Sequence, residues 1–178
     1  MNLNKKVIVI LGIVFGTMVI SGITVGIWLG VRNSNNPPAT HPAGDWTLVI
    51  SGDQVVAINI SINDLLEMPI YEEEYTIRGS DTYQAIFSGV QVNYLLEEIL
   101  ELKSNASIIN FIAWDEYSIS FSINSLADAT ILALKKNGGF LKGPEEGNGY
   151  LRLIDPPTND QDYNGPRCLK NVVRLEIV

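Results

Sequence analysis

The sequence predicts an α+β domain with mixed or antiparallel sheets, preceded by one transmembrane helix. Three observations lead to this prediction. An uncharged apolar run lies near the start of the 178-residue chain, later segments alternate apolar and polar residues as strands do, and one segment has the spacing of an amphipathic helix. Strand-like and helix-like segments are interleaved without a regular βαβ repeat, which favours mixed or antiparallel sheets.

The apolar run, residues 7–31, contains 25 residues without a charge, and about 20 apolar residues cross a bilayer core as a helix. A cleaved signal peptide has a shorter apolar region with small residues at the cut site, and no such site follows this run. We therefore expect an uncleaved anchor with residues 1–6 as a cytoplasmic tail. Lys5 and Lys6 precede the span and only Arg32 directly follows it. This charge bias predicts a single-pass protein of the cell membrane whose carboxy-terminal domain is extracytoplasmic.

Glycines within the run form a second pattern. At 100° per residue they fall within about a third of the helix circumference, a stripe that would let a partner helix approach closely. Glycine is also common in membrane helices without any partner, so both interpretations stay open. The stripe consists of Gly12, Gly16, Gly22, Gly26 and Gly30.

Residues 32–45 are rich in proline and asparagine and contain His41, the single histidine, so they predict an extended linker. Residues 46–178 form the predicted domain. From Asp45 onward the chain has 20 acidic and nine basic residues, a net charge of −11. Such a surface repels phosphate backbones, which argues against nucleic-acid binding. A single cysteine excludes an intramolecular disulfide and any multi-cysteine metal site.

The first half of the domain predicts a hairpin, a capped helix, a strand and a longer helix. Apolar runs flank Gly52-Asp53, a turn dipeptide typical of hairpins. Residues 61–69, "SINDLLEMP", have a capping serine, helical spacing and a terminating proline. Residues 72–79, "EEEYTIRG", predict a short strand. Residues 92–102, "VNYLLEEILEL", place their apolar side chains on one helical face.

The second half predicts a hairpin and two further strands separated by loops. The buried-strand run "IINFIAW" and the alternating run "YSISFSI" flank Asp115-Glu116. We expect "SLADATILALKK", residues 125–136, to be helical in part. Residues 137–149 and 155–166 are loops because they are rich in glycine and turn-forming residues. "YLRLI" and "NVVRLEIV" are the closing strands.

The domain lacks the motifs of familiar hydrolytic and nucleotide-binding enzymes, and it contains no histidine to activate a nucleophile. No catalytic residue is assigned. The loop "DQDYNG" begins like a calcium loop, with Asp160, Asp162 and Asn164 at alternate positions. Asn171 replaces the carboxylate expected at the twelfth position, which favours an ordinary polar loop. The run Glu72 to Glu74 is interpreted as a solvated strand edge, because alternate side chains of a strand face opposite ways. No metal site is predicted.

Asn59 and Asn105 begin two N-x-[ST] sequences, which are acceptor sites for N-glycosylation if the domain faces outward. Two such matches also arise by chance in a sequence rich in asparagine and serine. The sequence does not decide whether either site is modified.

Several stretches of the domain, in order, resemble motifs of the oxidoreductase molybdopterin-binding domain, the core of the sulfite oxidase fold. The first is "SINDLLEMP". "FSGVQVNYLLEEI" is similar to the family's W-x-G-V-P-L-x-x-L-L motif, and "FIAWDEYSISFSI" to its A-x-D-G-Y hairpin. "GYLRLIDP" and "GPRCLKNVVRLEIV" are similar to its last two strands. The resemblance covers nearly all of residues 46–178 and implies that fold.

The resemblance also implies a functional difference. Catalytic members bind molybdenum through molybdopterin and one cysteine thiolate upstream of the G-V-P-L motif, and this chain has no cysteine there. Cys168 matches a tryptophan-like position in the last motif instead. We therefore interpret Cys168 as a small apolar residue, with an intermolecular disulfide or a thiol at a pocket rim as the alternatives. Glu116 replaces the glycine of the hairpin turn and adds negative charge.

These features predict a membrane-anchored, extracytoplasmic binding or accessory module without catalysis. The alternatives are an active molybdopterin-dependent oxidoreductase and a structural subunit of a membrane complex. The resemblance makes molybdopterin the candidate cofactor and places its phosphate near the loop before the final strand, where basic side chains can neutralise it. Arg152, Arg167 and Lys170 lie in the matching motifs or between them and are the predicted cofactor-binding residues. Scattered surface charge is the alternative explanation.

Overall fold

The structure, a computed structural model, describes residues 46–146 and 149–178. The predicted tail, membrane span, glycine stripe and linker lie outside these residues. The chain divides into the units Met1–Pro37 and Pro38–Val178, and every described residue belongs to the second. Among the described residues, no helix has the length and apolar character needed to cross a membrane.

The first of two five-stranded sheets contains both the first and the last strand of the domain. β1 (Thr47–Ser51) and β2 (Ile58–Ser61) pair antiparallel, as predicted. The connection between them spans residues 52–57 and is longer than the predicted Gly52-Asp53 turn. β5 (Ile108–Ala113) and β6 (Ser118–Ser122) form the second predicted hairpin. The last strand, β10 (Val172–Ile177), inserts between them. The strand order is β2-β1-β10-β5-β6, and only the β1–β10 pair is parallel.

The second sheet is antiparallel and holds the remaining strands. Its strand order is β3-β4-β7-β8, and β9 also pairs with β7. β3 is an edge strand, and Glu72, Glu73 and Glu74 are exposed along it, as the solvated-edge interpretation requires. The strands are β3 (Ile70–Arg78), β4 (Thr82–Gln91), β7 (Ile131–Lys136), β8 (Gly139–Phe140) and β9 (Arg152–Ile154).

Both predicted helices are present in shortened form. α1 (Ile62–Glu67) begins at Ser61, whose hydroxyl accepts the backbone N–H of Asp64 while the Asp64 carboxylate accepts that of Ser61. This reciprocal capping stabilises the first turn. α2 (Val92–Tyr94) continues as a π-turn over Leu95–Ile99. Helical structure ends at Ile99, before the predicted end at residue 102, because the backbone of Leu100 is extended.

The prediction of partial helix over residues 125–136 is wrong. Apart from the end of a 3₁₀ turn at Ile123–Ser125, the ordered element in this range is β7. Its Ile131, Leu132, Ala133 and Leu134 are consecutive and all buried, which is the pattern of a strand covered on both faces. Strand β4 was not predicted from the sequence, and residues 72–79 proved to be the larger part of a nine-residue strand.

Two apolar clusters stabilise the domain. The larger contains α1, α2 and inward side chains of the first sheet, with Phe111 and Phe121 meeting edge to face at 5.7 Å. The smaller lies on the second sheet and includes Tyr75, Phe87 and Cys168. The candidate site lies beside this smaller cluster, at the end of the second sheet where β3 turns into β4.

Candidate anion-binding site

A cleft of about 390 Å³ lies between the β3–β4 turn and the β9–β10 loop. A cleft of about 400 Å³ on the first sheet is mostly apolar, and one of about 350 Å³ beside α2 carries Glu97, Glu98 and Asp128. Of these three clefts, only the one between turn and loop contains a buried charged side chain. Its lining residues are Ile77, Gly79, Ser80, Asp81, Tyr83, Arg152, Tyr163, Gly165, Pro166 and Lys170.

Arg152 supplies that buried charge. It lies on β9 opposite the small Ala133 of β7, and only 4% of it is exposed. Its guanidinium carbon is 5.5 Å from the centroid of the Phe87 ring, and its Nε has no hydrogen-bond partner. Within residues 46–146 and 149–178, Arg152 forms no ion pair. Burying a charge without a paired carboxylate costs several kcal/mol of hydration, so the unpartnered Nε of Arg152 is a donor available to an anion.

Lys170 and Lys136 add positive charge around Arg152. Lys170 lines the same cleft, and burial together with the nearby charges of Arg152 and Lys136 lowers its pKa. The ammonium of Lys136 is 4.8 Å from the ring centroid of Tyr83, which also lines the cleft. The three cations therefore act on one small volume, although the domain as a whole is acidic.

Arg167 has a different environment from the other two predicted residues. Its Nε donates to Oδ2 of Asp155 at 2.5 Å, and its two terminal nitrogens donate to the two oxygens of Asp162 at 2.9 and 2.6 Å. Two carboxylates already balance its charge, and Arg167 does not line the cleft. The structure thus places Arg152 and Lys170 in one pocket and Arg167 in the loop behind it.

Asn164 joins the two walls of the cleft. Its side chain is fully buried. The amide nitrogen donates to the carbonyl oxygens of Thr76 at 3.2 Å and Asp155 at 2.7 Å, and Oδ1 accepts the backbone N–H of Arg78 at 2.9 Å. The β9–β10 loop is thereby tied to the end of β3. The next residue, Gly165, packs against the Arg78 carbonyl so closely that an added Cβ would lie 2.7 Å from its oxygen.

Two of the three residues that resemble calcium ligands use their side-chain oxygens within the protein. Asp162 accepts from Arg167 and from the backbone N–H of Thr158, and Oδ1 of Asn164 accepts the backbone N–H of Arg78. Asp160 is fully exposed, with one oxygen 3.7 Å from Arg78. Among the described residues, no group of three acidic, cysteine or histidine side chains could hold a metal ion. These contacts agree with the polar-loop interpretation.

Cys168 is buried, as the sequence predicts. Only 4% of it is exposed, and it packs with Tyr75, Ile77 and Leu141. Its Sγ donates to the Asp155 carbonyl oxygen at 3.6 Å, and burial raises its pKa. It does not line the cleft, so its thiolate is unsuited to binding a ligand there.

The cleft fits one part of a molybdopterin and not another. A phosphate group matches Arg152 and Lys170, because both are cationic donors that line one cleft. The lining contains no thiol, and the side chains of the β3–β4 turn that could bind a metal, Ser80 and Asp81, offer only oxygen ligands. The residues present therefore fit the anionic part of such a cofactor and do not fit a metal centre that requires a cysteine ligand.

Comparison with solved structures shows the fold. The chain is similar to a chain in the crystal structure of the sulfane dehydrogenase SoxCD from Paracoccus pantotrophus, with a TM-score of 0.64 and 20% sequence identity. The match covers 79% of this chain and 40% of that chain, so this chain spans less than half of its length. No protein-family model matches the sequence, and comparison with curated proteins gives no match. The structural likeness supports the sulfite oxidase-like fold expected from the motifs.

The sequence pattern does not assign the lining residues Asp81, Tyr83 and Tyr163 to the site. It also does not assign Lys136 and Asn164, which act on the cleft from outside its lining. Lys136 was assigned to a partly helical segment, and its position on β7 is what directs it toward Tyr83. Asn164 was noticed only as part of a calcium-like pattern. The signal in the sequence is the pair Asn164-Gly165, since asparagine side chains bond to backbone groups in turns and loops.

Proposed function

We propose that this domain is a binding or accessory module that holds a phosphate-bearing ligand of the molybdopterin type, without cysteine-based metal catalysis. One observation carries the proposal. Arg152 is 4% exposed, has an unpartnered Nε and lines the cleft. An anion placed against it would recover the lost hydration through charge-assisted hydrogen bonds.

The three predicted cofactor-binding residues take different roles in this proposal. Arg152 and Lys170 contact the anion. Arg167 keeps the β9–β10 loop in place through Asp155 and Asp162, so its contribution to binding is indirect. Tyr83 and Tyr163 line the opening, where their rings can stack on a planar heterocycle. This arrangement suits a ligand with one aromatic ring system and one terminal phosphate.

The test is to identify what the full-length protein carries when it is purified from its native host. We expect a pterin or another phosphate-bearing compound in mass spectrometry, and molybdenum well below one atom per chain. Stoichiometric molybdenum would contradict the non-catalytic role and favour an active oxidoreductase, the alternative suggested by the fold.

We also propose that the chain is anchored through residues 7–31 with its domain outside the cytoplasm. The support is the uncharged run and the lysines before it. The anchored protein should resist extraction by high salt and alkali and retain its amino-terminal residues, and protease added to intact cells should cleave the domain. A soluble form that begins near Asn33 would contradict anchoring. The glycine stripe is a candidate surface for a partner helix within the same proposal.

A further inference from the structure

Lys170 and Lys142 have different charged neighbours. Lys142 forms an ion pair with Glu146 at 2.6 Å, whereas Lys170 forms none within residues 46–146 and 149–178. The charged groups around Lys170 are mainly cations, namely Arg152 and Lys136. The one carboxylate that shares its cleft is Asp81.

An amine in such a place is suited to nucleophilic chemistry. The uncharged form of lysine is the nucleophile, and partial desolvation of the ammonium beside other cations favours that form. Lys170 as a residue is exposed and lines the cleft, so a small carbonyl compound can reach its amine. Burial and the charges of Arg152 and Lys136 lower the pKa of Lys170, whereas Glu146 raises that of Lys142. The two lysines therefore provide a contrast within one chain.

We infer that Lys170 is a carbonyl-reactive lysine that captures small anionic aldehydes or 2-oxo acids while Arg152 holds their anionic group. The lone pair of Nζ attacks the carbonyl carbon to give a carbinolamine. The carbonyl oxygen then leaves as water and a C=N bond forms, so no oxidant or reductant is needed. The Asp81 carboxylate lines the same cleft and can accept and return the proton. This activity uses the proposed anion site and goes beyond ligand holding.

The cleft favours anionic over neutral carbonyl compounds. A ligand with a carboxylate or phosphate a few bonds from its carbonyl can contact Arg152 and present the carbonyl to Lys170. A neutral aldehyde gains nothing from Arg152 and reacts according to the basicity and exposure of each lysine. Selectivity for the charged compound is what separates a built site from ordinary surface reactivity.

The experiment treats the full-length protein with glyoxylate and then borohydride, which converts each imine to a stable secondary amine that peptide mass spectrometry locates. Propanal is the neutral control compound, and Lys142 is the internal control residue. Lys170→Arg is the control variant, since it keeps the charge and removes the nucleophile.

We expect glyoxylate to label Lys170 at least about tenfold faster than Lys142, because one hydrogen bond to a charged group corresponds to that factor. With propanal the advantage should fall to about threefold or less, and Lys170→Arg should lose the labelled peptide.

Equal labelling of Lys170 and Lys142 by glyoxylate would overturn the inference, and so would an equally large advantage with propanal. Titration with inorganic phosphate separates this inference from the proposed function. Phosphate binding without selective labelling discards the reactive lysine and leaves the anion site. Selective labelling without phosphate binding supports the reactive lysine and discards the phosphate-bearing ligand.

Discussion

Arg167 and Asp162 form a two-pronged ion pair in the loop before the last strand, with N···O distances of 2.9 and 2.6 Å. The same guanidinium also bonds Asp155, the first residue of that loop. One side chain thus closes the loop on itself, and Asn164 then attaches the loop to the end of β3. These residues do not line the cleft themselves, but they hold in place the loop that forms one of its walls.

Replacing Arg167 should therefore affect folding more than binding. Arg167→Ala removes charge-assisted hydrogen bonds to two carboxylates, and we expect the free energy of unfolding to fall by about 1–2 kcal/mol after allowance for partial exposure. Phosphate affinity should change less than about threefold in the folded variant, because the proposed site binds the anion through Arg152 and Lys170. Arg174→Ala, which breaks the exposed pair with Glu116 at 3.1 Å, is the control and should cost less than about 1 kcal/mol. A large loss of affinity with unchanged stability would show that Arg167 contacts the ligand.

The Arg167–Asp162 pair should also give stability a specific pH dependence. Hydrogen bonds from Arg167, and then from the Thr158 backbone, hold the pKa of Asp162 well below its usual range. A carboxyl group with a lowered folded-state pKa stabilises the fold fully above its unfolded-state pKa, about 4, and loses this effect as pH falls through the folded-state value. The difference in stability between wild type and Asp162→Asn should be largest above about pH 5 and shrink toward pH 2. Denaturant titrations across this range provide the measurement, and a difference that is independent of pH would contradict the assignment.

Gly89 marks a close approach of two strands in the second sheet. It lies at a register irregularity between β4 and β7, and an added Cβ would overlap the Leu132 carbonyl oxygen and lie 2.6 Å from the Ala133 Cα. Gly89→Ala should lower the free energy of unfolding by about 1–3 kcal/mol, as overpacking does. Gly139→Ala on β8 is the control, since its Cβ would meet only the Lys136 carbonyl at 3.7 Å, and its effect should stay within about 0.5 kcal/mol. Thermal or denaturant unfolding of both variants tests the difference.

Cys168 should be chemically inert while the domain is folded. Burial raises its pKa and only 4% of the residue is exposed, and both effects suppress the reactive thiolate. Its rate of modification by a thiol reagent at pH 8 should be at least about a hundredfold lower in the native protein than in denaturant. Comparable rates would indicate a thiol at the pocket rim, the alternative left open by the sequence.

Local chemistry explains which elements could be predicted. Both hairpins carry turn residues between apolar runs, and the capping residues of α1 lie within four positions of each other, so their signals are contained in short windows. The segment "SLADATILALKK" is expected to be helical in part, and its leucine, alanine and lysine residues do favour helices. Burial on both faces instead makes residues 131–136 the strand β7. The parallel pairing of β1 with β10 joins residues more than 100 positions apart, and no local pattern reports it.

The residues of the candidate site also separate into those that the sequence could predict and those that depend on contacts between distant parts of the chain. Arg152 and Lys170 could be named from motif order, because the two strands and the intervening loop resemble the motifs described in the sequence analysis. Their separation from Arg167 could not be predicted, since it depends on Asp155 and Asp162 occupying that guanidinium. Lys136 approaches the cleft from a different part of the chain and acquires its role only through the sheet.

The central claim is that buried Arg152 is the anchor of an anion site, and titration of the full-length protein with inorganic phosphate tests it most directly. The titration compares wild type, Arg152→Met and Lys142→Gln by calorimetry at constant ionic strength. We expect Arg152→Met to lose about 1.5–3 kcal/mol of binding free energy and to unfold no more easily than wild type, because an uncompensated buried charge has been removed. Lys142→Gln, which changes an exposed lysine paired with Glu146, should bind as wild type does. Equal phosphate affinity of Arg152→Met and wild type, or no binding by wild type, would contradict the claim.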